Sequence, residues 1–290
     1  MPKSVNILIL AFFLAQPGLS YAWPNLEREA TIGENLKFEL NPEEYSDQLN
    51  LSNRLVKPKN FDANKKYPVL LVLHTCGGPK GRSLKQMQYW VNAAAEHDYL
   101  ALQVDSVSAR GYKANCKPRP VDDGRLLKDI YDAADVLSKL PFIDVNRIFT
   151  TGGSLGAMTG MLAASPSMTN QVSKSGFRFR ANIALFPGCD YGRRGLYIHQ
   201  DTDRPLLVLM GAKDTDTPPE NCFHHFERLK EKGGPIEWFT YAAAGHNWDN
   251  PDTDGFSKIT PDGKHTTYYY DAEVTKDSNK RSFDFLNRFK

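Results

Sequence analysis

Short unbroken apolar runs alternate along this chain with segments whose apolar residues recur every third or fourth position. The runs are "YPVLLVLH" (67–74), "YLALQV" (99–104), "RIFTT" (147–151), "ANIALFPG" (181–188), "PLLVLMGAKD" (205–214) and "IEWFTY" (236–241). Apolar stretches of that length predict strands buried on both faces, the habit of a parallel sheet. Between them, "SLKQMQYWVNAAAEHD" (83–98) sets Leu84, Met87, Val91 and Ala94 on one helical stripe. Helices are also expected over 125–140, 155–165, 220–233 and 280–289. Strands alternating with helices predict an α/β fold: one domain, 51–290, whose mostly parallel sheet is covered on both faces. Residues 23–50, polar and acidic around "NPEEYSDQ", read as an N-terminal arm.

Composition adds little until the first residues are set apart. A chain of 290 residues, 41% hydrophobic, has enough apolar material for one sizeable core. Its 36 basic and 34 acidic residues nearly cancel, and no Lys/Arg block stands out, which argues against nucleic acid as a partner. Residues 1–22 carry Lys3, an apolar run from Ile7 to Ala15, a Pro-Gly break and small residues at Ser20 and Ala22. That layout is a secretory signal peptide, cleaved after Ala22. The run of about nine residues falls far short of the roughly twenty that span a bilayer, so no membrane span is expected in the mature protein. A secreted or periplasmic location changes the meaning of the four cysteines, Cys76, Cys116, Cys189 and Cys222. In an oxidising compartment they imply two disulfides, with three pairings open.

Active groups in such a sheet sit beyond the carboxyl ends of the strands. "RIFTT" runs into Gly152-Gly153-Ser154-Leu155-Gly156, a G-x-S-x-G pattern. This is the nucleophile elbow, in which glycines admit a sharp turn and the serine meets a helix N-terminus. Alone, the same five residues also describe a glycine-rich helix entry capped by serine. "PLLVLMG" is followed by Asp214 and Asp216, and "IEWFTY" by His246. The order Ser154, Asp214, His246 is that of α/β-hydrolase triads: histidine takes the serine proton, and aspartate fixes its tautomer. His97, His199, His224, His225 and His265 lack such neighbours and read as surface or packing residues. "VLHTCGG" follows the early buried strand, where an oxyanion donor is expected. The backbone N–H groups of Leu155 and of Cys76 (or Thr75) are the candidates.

With those residues in place, the chain resembles the dienelactone hydrolase family, in particular its exported members with a serine nucleophile. The resemblance runs from about Tyr67 to the C-terminus. It rests on "LLVLHTCGG", "VDSVSARGYKANC", "RIFTTGGSLGA", "ALFPGCD", "LVLMGAKDTDTPPENC" and "AGHNW" in that order. It implies an α/β-hydrolase fold and selects Asp214 over Asp216 as the acid, through a G-x-x-D-x-x-x-P pattern ending at Pro218. It also implies the pairings Cys76–Cys116 and Cys189–Cys222. Two features depart from the family. Its name-giving enzymes use cysteine where this chain has Ser154, so their substrate is not carried over. Many relatives place Trp where this chain has Gly153.

Weaker signals add detail. Trp90, Trp238 and Trp248 suit core or pocket positions, and Trp248, two residues past His246, is the candidate substrate contact. "NPDTDG" (250–255) imitates the start of a calcium loop, but Pro261 stands where the closing Glu belongs, so no metal is expected. Asn50 heads a glycosylation sequon, and Arg110, Arg193 and Arg194 are candidates for an acidic substrate group. The reading is an exported carboxylic-ester hydrolase, free of cofactors, acting on a small-molecule or polymer ester through a Ser154 acyl-enzyme. An acyltransferase or peptidase on the same triad, and a non-catalytic binding module, are the alternatives.

Overall fold

A computed structural model describes residues 25–190, 195–260 and 263–289. Residues 1–22, read above as a signal peptide, and Arg193, Arg194 and Pro261 lie outside them. The apolar runs form β3 (Tyr67–Leu73), β4 (Leu100–Val104), β5 (Ile143–Gly153), β6 (Asn182–Leu185), β7 (Leu206–Gly211) and β8 (Ile236–Tyr241). With β1 (Glu39–Glu44) and β2 (Arg54–Lys57) they make one eight-stranded sheet, ordered β1-β2-β4-β3-β5-β6-β7-β8. From β4 to β8 every neighbour pair is parallel, while β2 runs antiparallel to β4.

Burial on both faces explains the unbroken runs except the last: β8 is an edge strand that exposes Glu237 and Phe239, so "IEWFTY" is not the fully buried strand its apolar content suggests. In β3, Val69, Leu71 and Leu73 join one core while Leu70 and Val72 join the other. In β7, Leu206, Val208 and Met210 face one way and Leu207 and Leu209 the other. The second core is closed by α2 (Leu84–Glu96) and the C-terminal α7 (Ala272–Asn287), through Met87, Trp90, Val91, Phe283 and Leu286. The first is closed by α3 (Asp123–Leu137), α4 (Leu155–Ala163), α5 (Pro166–Val172) and α6 (Glu220–Glu231).

Residues 25–50 contribute α1 (Leu26–Ala30) and β1. Helix α1 docks on α3 with Leu26 fully buried, Gly124 N–H donating to Glu29 (2.9 Å) and Arg125 donating to the Ala30 carbonyl (2.8 Å). Arg110 is part of the same buried network. It pairs with Asp129 at 2.7 Å and is spent on structure rather than on a substrate. A two-stranded antiparallel hairpin, β9 (Ser257–Ile259) with β10 (His265–Thr267), stands apart from the main sheet. No helix among the described residues is long and apolar enough to cross a membrane.

Candidate active site

Ser154 occupies the joint between β5 and α4 with φ 50° and ψ −111°. That left-handed backbone costs a non-glycine residue about 1–3 kcal/mol and persists only where the surroundings over-determine it. Here they do. Ser154 N–H donates to the Leu185 carbonyl on β6 (2.9 Å). A Cβ on Gly156 would lie 2.4 Å from the Leu73 carbonyl oxygen, so only glycine lets α4 start against β3. Leu155, the first residue of α4, has no carbonyl one turn earlier in its helix, which leaves its N–H unclaimed by the helix.

Gly153 answers a different need. A Cβ there would fall 2.5 Å from Phe186 Cζ. Phe186 follows β6 with φ 39°, and its ring meets His246 edge-on (centroids 4.8 Å) and Trp248 likewise (4.9 Å). The space opened by the small residue is therefore filled from inside the protein.

The two titratable candidates meet beyond β7 and β8. His246 Nδ1–H donates to Asp214 Oδ2 at 2.7 Å, and both residues are buried. Asp214 Oδ1 accepts the backbone N–H of Asp216 and of Thr217, 2.9 Å each. Thr217 Oγ1 lies 2.8 Å from Asp214 Oδ2, 3.1 Å from the Phe186 carbonyl and 3.2 Å from His246 Nδ1. These contacts fix the carboxylate and through it the tautomer, leaving Nε2 as the basic nitrogen. Burial opposes a charged imidazole, but the Asp214 charge and hydrogen bond, with Asp216 behind them, hold the His246 pKa above its ordinary value.

Ser154 and His246 share the wall of one cavity of about 590 Å³. In this structure their side chains are not hydrogen-bonded to each other, and Nδ1 is the ring nitrogen engaged, by Asp214. Thr75, Cys76 and Cys116 line the cavity on one side, and Phe256, Lys258, Ile259 and Tyr268 on another. Both disulfides are present, Cys76–Cys116 and Cys189–Cys222. The first braces the loop after β3, where Asn115 N–H also donates to the Cys76 carbonyl (2.6 Å). His74 buttresses that loop from beneath: Nδ1 lies 2.7 Å from the Thr75 carbonyl and Nε2 3.3 Å from Ser106 N–H. Donation to the first and acceptance from the second require a neutral ring, and burial lowers its pKa accordingly.

One expectation is corrected. Trp248 is fully buried, packed against Phe186 and Tyr241, and does not line the cavity. Asn247, with φ 63°, turns the chain just before Trp248, and Tyr268 and Phe256 supply the aromatic wall instead. Asp249, which sequence reading passed over, is completely buried and accepts from Gln86 (2.7 Å) and Trp90 (2.8 Å). Burial raises its pKa to about 6.

A sheet of this order, with serine, acid and histidine beyond β5, β7 and β8, aligns with solved hydrolases. A putative dienelactone hydrolase from Klebsiella pneumoniae superposes with TM-score 0.61, at 19% identity, covering 80% of this chain and 91% of the other. An esterase of Thermogutta terrifontis does so with TM-score 0.59, at 14% identity, covering 81% and 87%. The chain has the α/β-hydrolase fold. In sequence, residues 190–277 match the model of the prolyl oligopeptidase family. An uncharacterized peptidase of Bacillus subtilis is 24% identical over 67% of this chain and 33% of its own length. A probable dipeptidyl-aminopeptidase B of Paracoccidioides brasiliensis is 29% identical over 74% of this chain and 24% of its own. This chain thus spans a third or less of those two peptidases, and the similarity lies with serine-hydrolase-type α/β proteins, esterases and peptidases alike.

Proposed function

We propose that the protein is an exported serine hydrolase that cleaves carboxylic esters through a Ser154 acyl-enzyme. The observation that carries this reading is the buried His246–Asp214 pair, 2.7 Å apart, in the wall of the cavity that Ser154 also lines. His246 Nε2 takes the Ser154 proton as Oγ attacks the ester carbonyl, and Asp214 balances the imidazolium. The tetrahedral oxyanion accepts from the N–H of Leu155 and of Cys76, each donor being worth about 2.7–4 kcal/mol in the transition state. The C–O bond then breaks, the alcohol leaving with the proton from Nε2. Water repeats the sequence on the acyl-enzyme and releases the acid. Two disulfides and the absence of a membrane-spanning helix among the described residues agree with export.

A fluorophosphonate probe tests the nucleophile directly. The intact protein is expected to be labelled at Ser154 and to cleave short acyl esters, and Ser154→Ala to lose both while keeping its circular dichroism spectrum. Esterase activity persisting in that variant removes the site. A protein that is neither labelled nor active on a broad ester panel is a binding module on a hydrolase scaffold. The sequence relatives favour a second reading, a peptidase. Peptide arylamides turned over faster than matched esters would establish it.

A further inference from the structure

Asp216 was set aside as the triad acid, yet it faces the same histidine. Its Oδ2 lies 4.0 Å from His246 Nε2, the nitrogen opposite the one held by Asp214. At that distance it attracts a charged ring without hydrogen-bonding to it. It is restrained there from three sides. Lys258 Nζ on β9 approaches Oδ2 at 2.6 Å, the Tyr268 hydroxyl donates to the same oxygen, and the Asp216 backbone N–H is tied to Asp214. The Tyr268 ring in turn packs on His246 (centroids 5.4 Å), and Lys258 lies over that ring (5.2 Å). Thr215 and Thr266 add a further bond between the acid loop and the hairpin, at 2.6 Å.

We infer that Asp216 is a positioning residue for His246, and that Lys258 and Tyr268 on the β9–β10 hairpin hold it where it stabilises the imidazolium without capturing the Nε2 proton. The inference rests on Ser154, Asp214 and His246 acting as proposed above. Its chemistry is a balance. During acyl transfer, Nε2–H must be handed to the leaving alcohol. A free carboxylate at that side would bind the proton and stall the step, whereas no carboxylate would leave the cation supported from Nδ1 alone. A carboxylate already sharing an oxygen with an ammonium and a phenol avoids both. The charged and titratable groups facing the ring are Asp214 and Asp216 after β7, Lys258 on β9, Tyr268 after β10, and Asp249 after His246 itself. Asp214 and Asp216 both favour the charged ring, and Lys258 opposes them.

The test is the pH titration of His246, followed by NMR with labelled histidine, alongside the acid limb of kcat/KM for a short acyl ester. Asp216→Asn is expected to move both to lower pH and to cut kcat roughly tenfold, equivalent to about 1.4 kcal/mol, with KM little changed. Lys258→Met is expected to move both to higher pH, and its shift to shrink in the Asp216→Asn background. Thermal melts check that each variant folds. If Lys258→Met does not, Lys258→Gln takes its place. Shifts in the same direction, or none, overturn the inference, because loss of packing alone has no reason to move one variant down and the other up. The NMR arm needs no turnover. Midpoints that move as stated in a protein without hydrolase activity would leave the electrostatic placement standing and overturn its catalytic meaning. Midpoints that stay put in an active enzyme would overturn the inference and spare the function.

Discussion

Gly153 shows how much one missing side chain decides. Its hydrogen makes room for Phe186, whose ring meets His246 edge-on, so Gly153 bears on the histidine through one intervening ring. Gly153→Ala must push Phe186 aside, and overpacking of that kind costs about 1–3 kcal/mol. A lowered urea midpoint with reduced kcat is expected, and Phe186→Leu added to it is expected to recover part of the stability. Additive losses in the double variant would show that the two residues do not compete for the space. The positions of Ser154 and Asp214 were legible in the sequence because β5 and β7 end in buried apolar runs and glycines mark the strained turn, whereas β8, ahead of His246, is an edge strand with Glu237 and Phe239 exposed. Phe186 was not legible: its role arises from the pairing of β6 with β5, which nothing local encodes. Trp248 misled for the converse reason, since two residues past a histidine can point either way and here the chain turns into the core.

Among the elements, those legible from the pattern are the ones with two apolar faces or one continuous stripe. Strand β1 alternates exposed and half-buried positions at the sheet edge, and β9 and β10 are three-residue strands with Ile259 their one apolar residue, so hydropathy carries no trace of them. Helix α7 begins at Ala272, ahead of its apolar stretch, because Asp271 caps it by accepting from the Val274 N–H (3.0 Å). The loop after β3 is the element on which turnover should depend most after the triad. Its disulfide to Cys116 spans 40 residues, and bridges of this kind contribute about 2–4 kcal/mol. Replacing Cys76 and Cys116 together by alanine is expected to lower the melting temperature. On the proposed role of the Cys76 N–H as an oxyanion donor, it should also cut kcat more than it raises KM. A variant with normal kcat and only a lower melting temperature would remove this loop as the source of the second oxyanion donor.

For the whole molecule, near-neutral charge hides a local imbalance. The alternation of runs and stripes made the sandwich legible, but strand order was not, because β3 lies between β4 and β5 only once tertiary pairing is chosen. That ordering gathers Lys80, Arg82, Lys117 and Lys258 around the cavity with a single carboxylate, Asp216, which Lys258 and Tyr268 already occupy. Lys80, Arg82 and Lys117 have no acidic partner among the described residues, although Arg82 lies over the Phe256 ring at 4.5 Å. A substrate with a free ammonium, such as a dipeptide amide, meets like charge on entry, while one bearing a carboxylate is drawn in. Exposed pairs of this sort are worth about 0.2–1 kcal/mol each, so the preference should amount to roughly 2- to 10-fold in kcat/KM. Ethyl hydrogen succinate, ethyl pentanoate and ethyl 4-aminobutyrate, followed by acid release, differ mainly in end charge and are expected to react in that descending order at low salt. The differences should narrow as salt rises and the Debye length falls below about 10 Å. An order that is reversed, or indifferent to salt, would mean that these cations face water rather than the bound acyl chain.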